Sequence, residues 1–212
     1  MKCESELALL SKLERVSLPT LGHFLEDGFM SYEVRSLVPG ARVVGTAVTL
    51  KLASPNAYAV NRALAVLRPG DVLVIDCCGN RTHACVGAVT GTALQSVGAK
   101  GVIVDGLVTD ITELKEMRLP VFARGTTALT TKKIDADGSA VNVPILCGGV
   151  EIHPGQIIVA DDNGVLVLAV DAAATTVDTA LASDAAEPAV LARLREGNPV
   201  RTVLDIAPLP KE

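Results

Sequence analysis

The chain has no tryptophan, and only two tyrosines and three phenylalanines among its 212 residues. An interior without rings has to be filled by Val, Ala, Leu and Ile, and little remains from which to build a platform for stacked bases. Positive charge is also short: 19 Lys and Arg stand against 24 Asp and Glu, a net of −5. Proteins that grip nucleic acid present a basic stripe to the phosphates, so direct nucleic-acid binding is not expected. No apolar run approaches the roughly 20 residues of a membrane helix. The charges at Lys2 and Glu4, with no long apolar stretch behind them, do not read as a secretory signal. A cytoplasmic protein without a membrane contact is therefore expected. The five cysteines, at 3, 77, 78, 85 and 147, are odd in number and irregular in spacing. That argues against a disulfide framework and for a reducing compartment. The adjacency of Cys77 and Cys78 does not suit a simple tetrahedral zinc knuckle. His23, His83 and His153 form no pair at metal-ligand spacing. P-loop, dinucleotide fingerprint and nucleophile elbow are all missing.

What is present is a chain with 49% hydrophobic residues, far too apolar to be disordered and of a length that suits one compact domain. Residues 4–14 are charged and Leu-rich at helical spacing. The Ser17-Leu18-Pro19-Thr20 segment reads as a break, with a second short helix from Leu21 to Asp27 closed by Gly28. Val43 to Leu52 is β-branched and predicts a strand, and Ala57 to Leu67 predicts a helix. Asp71 to Asp76 and Gly101 to Asp105 are apolar runs of the kind buried on both faces of a sheet. A helix is predicted over His83 to Val97, another over Asp110 to Met117, and a short strand over Pro120 to Ala123. Strand, helix and strand in alternation indicate an α/β layer. Later strands are expected at Val141–Ile145, Gly149–Ile152, Ile157–Ala160 and Val165–Ala169. The last two flank Asp161-Asp162-Asn163-Gly164, where Asn-Gly is a hairpin signal. An Ala-rich helix over Asp171–Glu196 closes the pattern.

The densest polar residues follow the two buried runs: Asp76-Cys77-Cys78-Gly79-Asn80-Arg81-Thr82-His83, and Asp105-Gly106-Leu107-Val108-Thr109-Asp110. Ligands in open α/β sheets bind beyond the carboxyl ends of strands, and the N–H groups that open the next helix suit a carboxylate or phosphate. The competing reading is that these are ordinary turns. Asp110 with Glu113 has capping-box spacing, so it reads either as a helix cap or as an oxygen ligand for Mg²⁺. Cys85 is expected to be buried and inert on its helix, with no histidine placed to activate it.

The run from Gly70 to Thr127, GDVLVIDCCGNRTHACVGAVTGTALQSVGAKGVIVDGLVTDITELKEMRLPVFARGTT, resembles the family that contains the 4-hydroxy-4-methyl-2-oxoglutarate aldolases and the regulator of ribonuclease activity A. PGARVVGTAVTLK at 39–51 and VNVPILCGGVEIHPGQIIVADDNGVLVL at 141–168 carry the resemblance further, so that it spans about residues 17 to 170. It implies one three-layer β/β/α domain, like the swivelling phosphohistidine domains, with a C-terminal helix. Residues 1–16 and 171–212 would be terminal helical extensions. It also implies a homotrimer, or a hexamer of two trimers, with sites at subunit interfaces. In the aldolases Mg²⁺ or Mn²⁺ polarises a pyruvate-type oxo acid as a Lewis acid, and the same site decarboxylates oxaloacetate.

Laid on this chain, the family pattern places an acid after the glycine of the pocket helix, where Gly87 is followed by Ala88. Its Asp-Gly-x-x-Arg-Asp motif reads Asp105-Gly106-Leu107-Val108-Thr109-Asp110. The metal-binding Asp is kept as Asp110, and the substrate-binding Arg is Thr109. Threonine cannot make a bidentate contact to a carboxylate or lend permanent positive charge. The ribonuclease-regulator branch has the reverse arrangement, with Arg kept and Asp lost. The resemblance thus assigns Asp110, Thr109, Arg81 and His83 as candidate catalytic residues. Gly87, Ala88, Val89, Thr90, Asp105 and Arg124 would bind a small anionic acid, and Asp110 would hold Mg²⁺ or Mn²⁺. Arg81, His83 and Arg124 are the nearest groups to supply the missing charge or proton transfer, and Asp184 or Glu187 would correspond to an acid reaching a neighbouring site. Three functions are open: a divergent lyase acting on a small oxo or oxygenated acid, a non-catalytic binding protein with a protein partner, and a weak aldolase or decarboxylase.

Overall fold

The computed structural model describes residues 4–134, 136 and 138–207; Cys3 and the outer ends of both terminal extensions lie outside them. In chain order the elements are α1 (Glu4–Leu13), α2 (Leu18–Leu21), β1 (Arg35–Ser36), β2 (Val43–Lys51), α3 (Ala57–Val66), β3 (Asp71–Asp76), β4 (Ala84–Val86), α4 (Ala88–Ser96), β5 (Gly101–Val108) and α5 (Ile111–Glu116). They continue with β6 (Val121–Thr126), β7 (Ala140–Val141), β8 (Ile145–Cys147), β9 (Val150–Ile152), β10 (Ile157–Asp161), β11 (Gly164–Leu168), α6 (Val170–Arg195) and α7 (Val200–Val203).

The main sheet runs β1-β6-β5-β3-β2-β10-β11, with β4 added beside β5 and β7 beside β2. Strands β2, β3, β5 and β6 are parallel, as strands joined through α3, α4 and α5 must be. β10 then pairs antiparallel with β2, and β11 antiparallel with β10. The two sheet edges nearly meet: Phe29 bridges Leu166, Met30 N–H donates to Val165 O at 2.9 Å, and a few residues on β1 pairs with β6. The result is a mixed α/β fold built on an almost closed sheet, with the C-terminal helix α6 outside it.

Side-chain alternation divides the interior in two. Ile158, Ala160, Val165 and Val167 point into the larger core, shared with β3 and β5. Their neighbours Ile157, Val159, Leu166 and Leu168 point the other way, under α1, α2 and α6. A period of two places successive residues on opposite faces, so one hairpin serves both cores. Residues Val72 to Ile75 of β3 are fully buried, as their unbroken apolar run predicts. On α6 only Ala173, Val177 and Ala180 are buried, one stripe at four- and three-residue spacing.

Four local expectations are corrected. The second helix lies on Leu18–Leu21, where Pro19 occupies the first turn and needs no N–H partner. The helix expected from His83 starts only at Ala88, because Ala84–Val86 is drawn into pairing with β5. β5 continues to Val108, so Asp105-Gly106-Leu107-Val108 is strand and only Thr109-Asp110 form the turn. In the β10–β11 hairpin Asp161 pairs with Gly164; the positive φ falls on Gly164, and neither Asp162 nor Asn163 has one.

Candidate functional site

Asp110 sits between β5 and α5 in the left-handed region, at φ 53° and ψ 44°. Aspartate tolerates this conformation better than most residues. A capping residue normally has extended backbone, and Asp110 makes no side-chain bond to its own helix. Its carboxylate instead caps the neighbouring helix: Oδ2 accepts the N–H of Ala88, the first residue of α4, at 2.9 Å. Oδ1 accepts the Thr109 hydroxyl at 3.1 Å. The close approach requires Gly87, since a Cβ there would lie 2.6 Å from Asp110 Oδ2 and 2.7 Å from Thr109 Cγ2. The capping-box reading is therefore corrected: Asp110 does not cap its own helix, and its carboxylate holds the first N–H of α4 instead. Asp110 is exposed, Ala88 and Thr90 are half-buried, and Val89 is 86% exposed on the open side of the turn.

Asp105 lies five residues upstream in a different setting. It is buried, with Oδ1 bonded to Arg124 Nε at 2.5 Å and to Arg81 Nη2 at 2.9 Å. Gly148 N–H donates to its Oδ2 at 2.8 Å, and Arg81 Nη1 donates to its backbone carbonyl at 2.8 Å. Arg124 is in turn paired with Glu33. Burial pushes the Asp105 carboxyl up, but the Arg124 hydrogen bond, the Gly148 N–H and the charges of Arg124 and Arg81 outweigh it. The carboxyl is held below its ordinary value. The Asp105 hydrogen bond raises Arg124 correspondingly. This cluster ties the Cys77–His83 loop, the Ser31–Val34 segment and the Gly148 turn to β5 and β6.

His83 is held separately. Its Nδ1 lies 2.8 Å from Thr82 Oγ1 and 3.4 Å from Asn80 Nδ2, while Asn80 Oδ1 accepts the N–H groups of Thr82 and His83. The structure thus brings Gly87, Ala88, Thr109 and Asp110 together at one turn, and Arg81, Asp105 and Arg124 at another. Among the described residues no hydrogen bond or ion pair links the two groups. Glu33 and Gly148 were not foreseen; they arrive from 91 residues before Arg124 and 43 residues after Asp105, and only the Gly148-Gly149 pair hinted at an unusual backbone there. Asp184, considered as an acid for a neighbouring site, accepts the Ser17 N–H at 2.7 Å and the Thr20 hydroxyl in its own chain.

As a metal site the turn is sparse. Among the described residues no group of three or more His, Cys, Asp or Glu side chains is arranged to hold an ion. Each Asp110 oxygen accepts one hydrogen bond, which leaves lone pairs on both. That fits a hard cation that keeps most of its water and takes one carboxylate; it does not fit a closed protein cage.

A mixed, almost closed sheet with its polar turns at the ends of parallel strands describes a small α/β scaffold. The chain belongs to the RraA-like family, whose aldolase/RraA model matches residues 21–167. It is 37% identical over 167 residues to a protein of Halalkalibacterium halodurans named "Putative 4-hydroxy-4-methyl-2-oxoglutarate aldolase", with 78% of each chain covered. Among solved structures it resembles RraAS2 of Streptomyces coelicolor, described as an unusual member of the RNase ES inhibitor RraA family, at TM-score 0.73 and 30% identity over 89% of this chain and 98% of that one. The RNA-processing inhibitor RraA of Thermus thermophilis aligns at TM-score 0.65 and 28% identity, over 72% of this chain and 92% of that one. No helix among the described residues is long and apolar enough to cross a membrane.

Proposed function

We propose that this chain is a divergent lyase that cleaves a carbon–carbon or carbon–oxygen bond in a small oxo or oxygenated acid at the Gly87–Thr90 and Thr109–Asp110 turn. The observation that supports it is the Asp110 carboxylate fixed at the start of α4 by Ala88 N–H and the Thr109 hydroxyl. The family resemblance implies that this is the position of the metal-binding acid. When bound there, Mg²⁺ or Mn²⁺ would act as a Lewis acid toward the oxo group, held by Asp110. The chain's own residues have simpler tasks. The N–H groups at the start of α4, next to the one that Asp110 caps, face the anionic end of the substrate. Gly87 leaves room for the Asp110 carboxylate to approach them. Thr109 orients the Asp110 carboxylate and cannot replace an arginine on the substrate. Arg81 and Arg124 are committed to Asp105 and Glu33, whose two negative charges balance theirs, so they bring no net positive charge to the turn.

Homotrimer or hexamer assembly belongs to this reading, with exposed Val89 beside a subunit boundary. The second reading is a non-catalytic regulator with a protein partner. Thr109 favours it, because its hydroxyl serves Asp110 and brings no charge to the turn.

The test is the double substitution Ala88→Asp with Thr109→Arg, assayed with Mg²⁺ or Mn²⁺. Recovery of oxaloacetate decarboxylation supports an intact scaffold whose chemistry has moved to another acid. The unaltered protein is then assayed against a panel of small oxo and hydroxy acids. No turnover across the panel, together with no Mn²⁺ binding by calorimetry, sinks the lyase reading and leaves the regulator.

A further inference from the structure

Cys77 directly follows β3 and Cys85 lies on β4, either side of the loop that carries Asn80, Arg81 and His83. Both thiols are buried, and their sulfurs are 3.8 Å apart. Gly106 makes room for them: a Cβ at that position would stand 2.6 Å from the Cys77 sulfur. Against Cys77 lies a small cavity of about 10 Å³, lined by Ser54, Asn80, His83 and Thr131, with Leu52 and Pro55 completing it. That is about the volume that admits a single water-sized molecule. The Ser54 hydroxyl is buried and has no hydrogen-bond partner. A buried polar atom of this kind calls for a partner, and the cavity is where one can sit.

We propose that this cavity and thiol pair form a peroxide-reactive site, in which hydrogen peroxide converts Cys77 and Cys85 to a disulfide. Peroxide is a small neutral oxidant with a donor and acceptor at each end, one of which can meet the unpartnered Ser54 hydroxyl. A cavity this small beside Cys77 favours peroxide over larger oxidants. The fraction of Cys77 that has lost its proton attacks one peroxide oxygen as thiolate, the O–O bond breaks, and the other oxygen takes up that proton and leaves as water. The resulting sulfenic acid is attacked by the Cys85 sulfur; the S–S bond forms, and the hydroxyl departs with the Cys85 proton as a second water. Two thiols and one peroxide thus give one disulfide and two waters. The sulfurs close from 3.8 Å to a disulfide bond of about 2.05 Å, a movement of the order that a loop and a three-residue strand can absorb. The thiol–thiol hydrogen bond and burial favour the protonated form of Cys77, so little thiolate is present and the reaction is slow. Once formed, the bond closes the loop holding Arg81 and His83 into a ring just ahead of Gly87.

The experiment treats the full chain with hydrogen peroxide and, separately, with oxidised glutathione, then alkylates free thiols in denaturant and maps peptides. Trypsin leaves Cys77 and Cys78 on one peptide and Cys85 on another, so Cys78→Ser is run in parallel to assign the link. The expected result is a Cys77–Cys85 cross-linked peptide with peroxide, unchanged in Cys78→Ser, absent in Cys85→Ala, and not formed with glutathione disulfide. Ser54→Ala should slow its formation about fivefold, the loss of one hydrogen bond to the oxidant. If peroxide modifies Cys78 while Cys77 and Cys85 remain alkylatable, the proposal is overturned. It is overturned equally if glutathione disulfide forms the link as fast as peroxide, or if Ser54→Ala leaves the rate unchanged. Because the unaltered chain is itself mapped, a variant that fails to fold leaves the proposal open to refutation.

Discussion

At the scale of single residues, the two aspartates of one motif have opposite environments. Asp110 is exposed and tied by two bonds, whereas Asp105 is buried among two guanidinium groups and a backbone N–H. Removing one member of a buried pair strands the other charge, so Asp105→Ala should cost about 3–5 kcal/mol, read as a lower urea midpoint. The pH dependence follows from the direction of the shift. The folded-state value lies below the unfolded one, so the stabilisation is complete above the unfolded value of about 3.9 and is lost as pH falls through the folded value. Asp105→Asn should therefore flatten that part of the acid limb of a stability–pH curve; an unchanged limb would show that the cluster does not control acid unfolding. Gly87→Ala forces a Cβ to within 2.6 Å of Asp110 Oδ2. About 1–3 kcal/mol of overpacking and displacement of Asp110 from Ala88 N–H are expected, the second read by NMR as altered protection of the Ala88 amide.

At the scale of elements, small residues set how closely helices lie. A Cβ on Gly91 of α4 would come 2.8 Å from Leu114 Cδ2 on α5 and 3.3 Å from the Met117 sulfur. Gly91→Ala gains about 1 kcal/mol of helix propensity but overpacks a fully buried leucine at a cost of about 1–3 kcal/mol. A net loss near 1 kcal/mol is expected, visible as a melting temperature lower by about 2–4 °C for a chain of this size; stabilisation would mean that α5 moves aside freely. The elements also divide what the sequence reveals from what it conceals. Asp71–Asp76 and the core of β5 were legible because an unbroken apolar run between turn residues has few alternatives. β4 was not, because Ala84-Cys85-Val86 becomes a strand only through pairing with β5, and small residues before Ala88 read equally well as helix. The same holds at the site. The Gly87 and Asp110 turns were legible as motifs, but which helix Asp110 caps depends on a left-handed backbone that no local pattern announces. Glu33 and Gly148 reach the Asp105 cluster only through the folded topology.

At the scale of the molecule, the near-closure of the sheet rests on the stretch from Gly28 to Ser36, which carries the chain from β11 across to β6. Val167 N–H donates to Gly28 O at 2.9 Å, Phe29 bridges Leu166, and Arg35 pairs with Ala123. The same stretch delivers Glu33 to Arg124, so closing the sheet and completing the buried charge cluster are one event. Gly28 is the position where this is most exposed to substitution. Its φ is +87°, and a Cβ would fall 2.3 Å from the Val167 carbonyl oxygen, a backbone atom that cannot turn away. Gly28→Ala therefore combines a strained conformation of about 1–3 kcal/mol with a clash that only parting the two edges relieves. We expect faster amide exchange at Met30 and Val167, with β3 and the centre of β5 still protected, because those strands lie deep in the sheet away from the seam. Exchange that rises equally in β3 would show that the seam and the parallel core open as one cooperative unit.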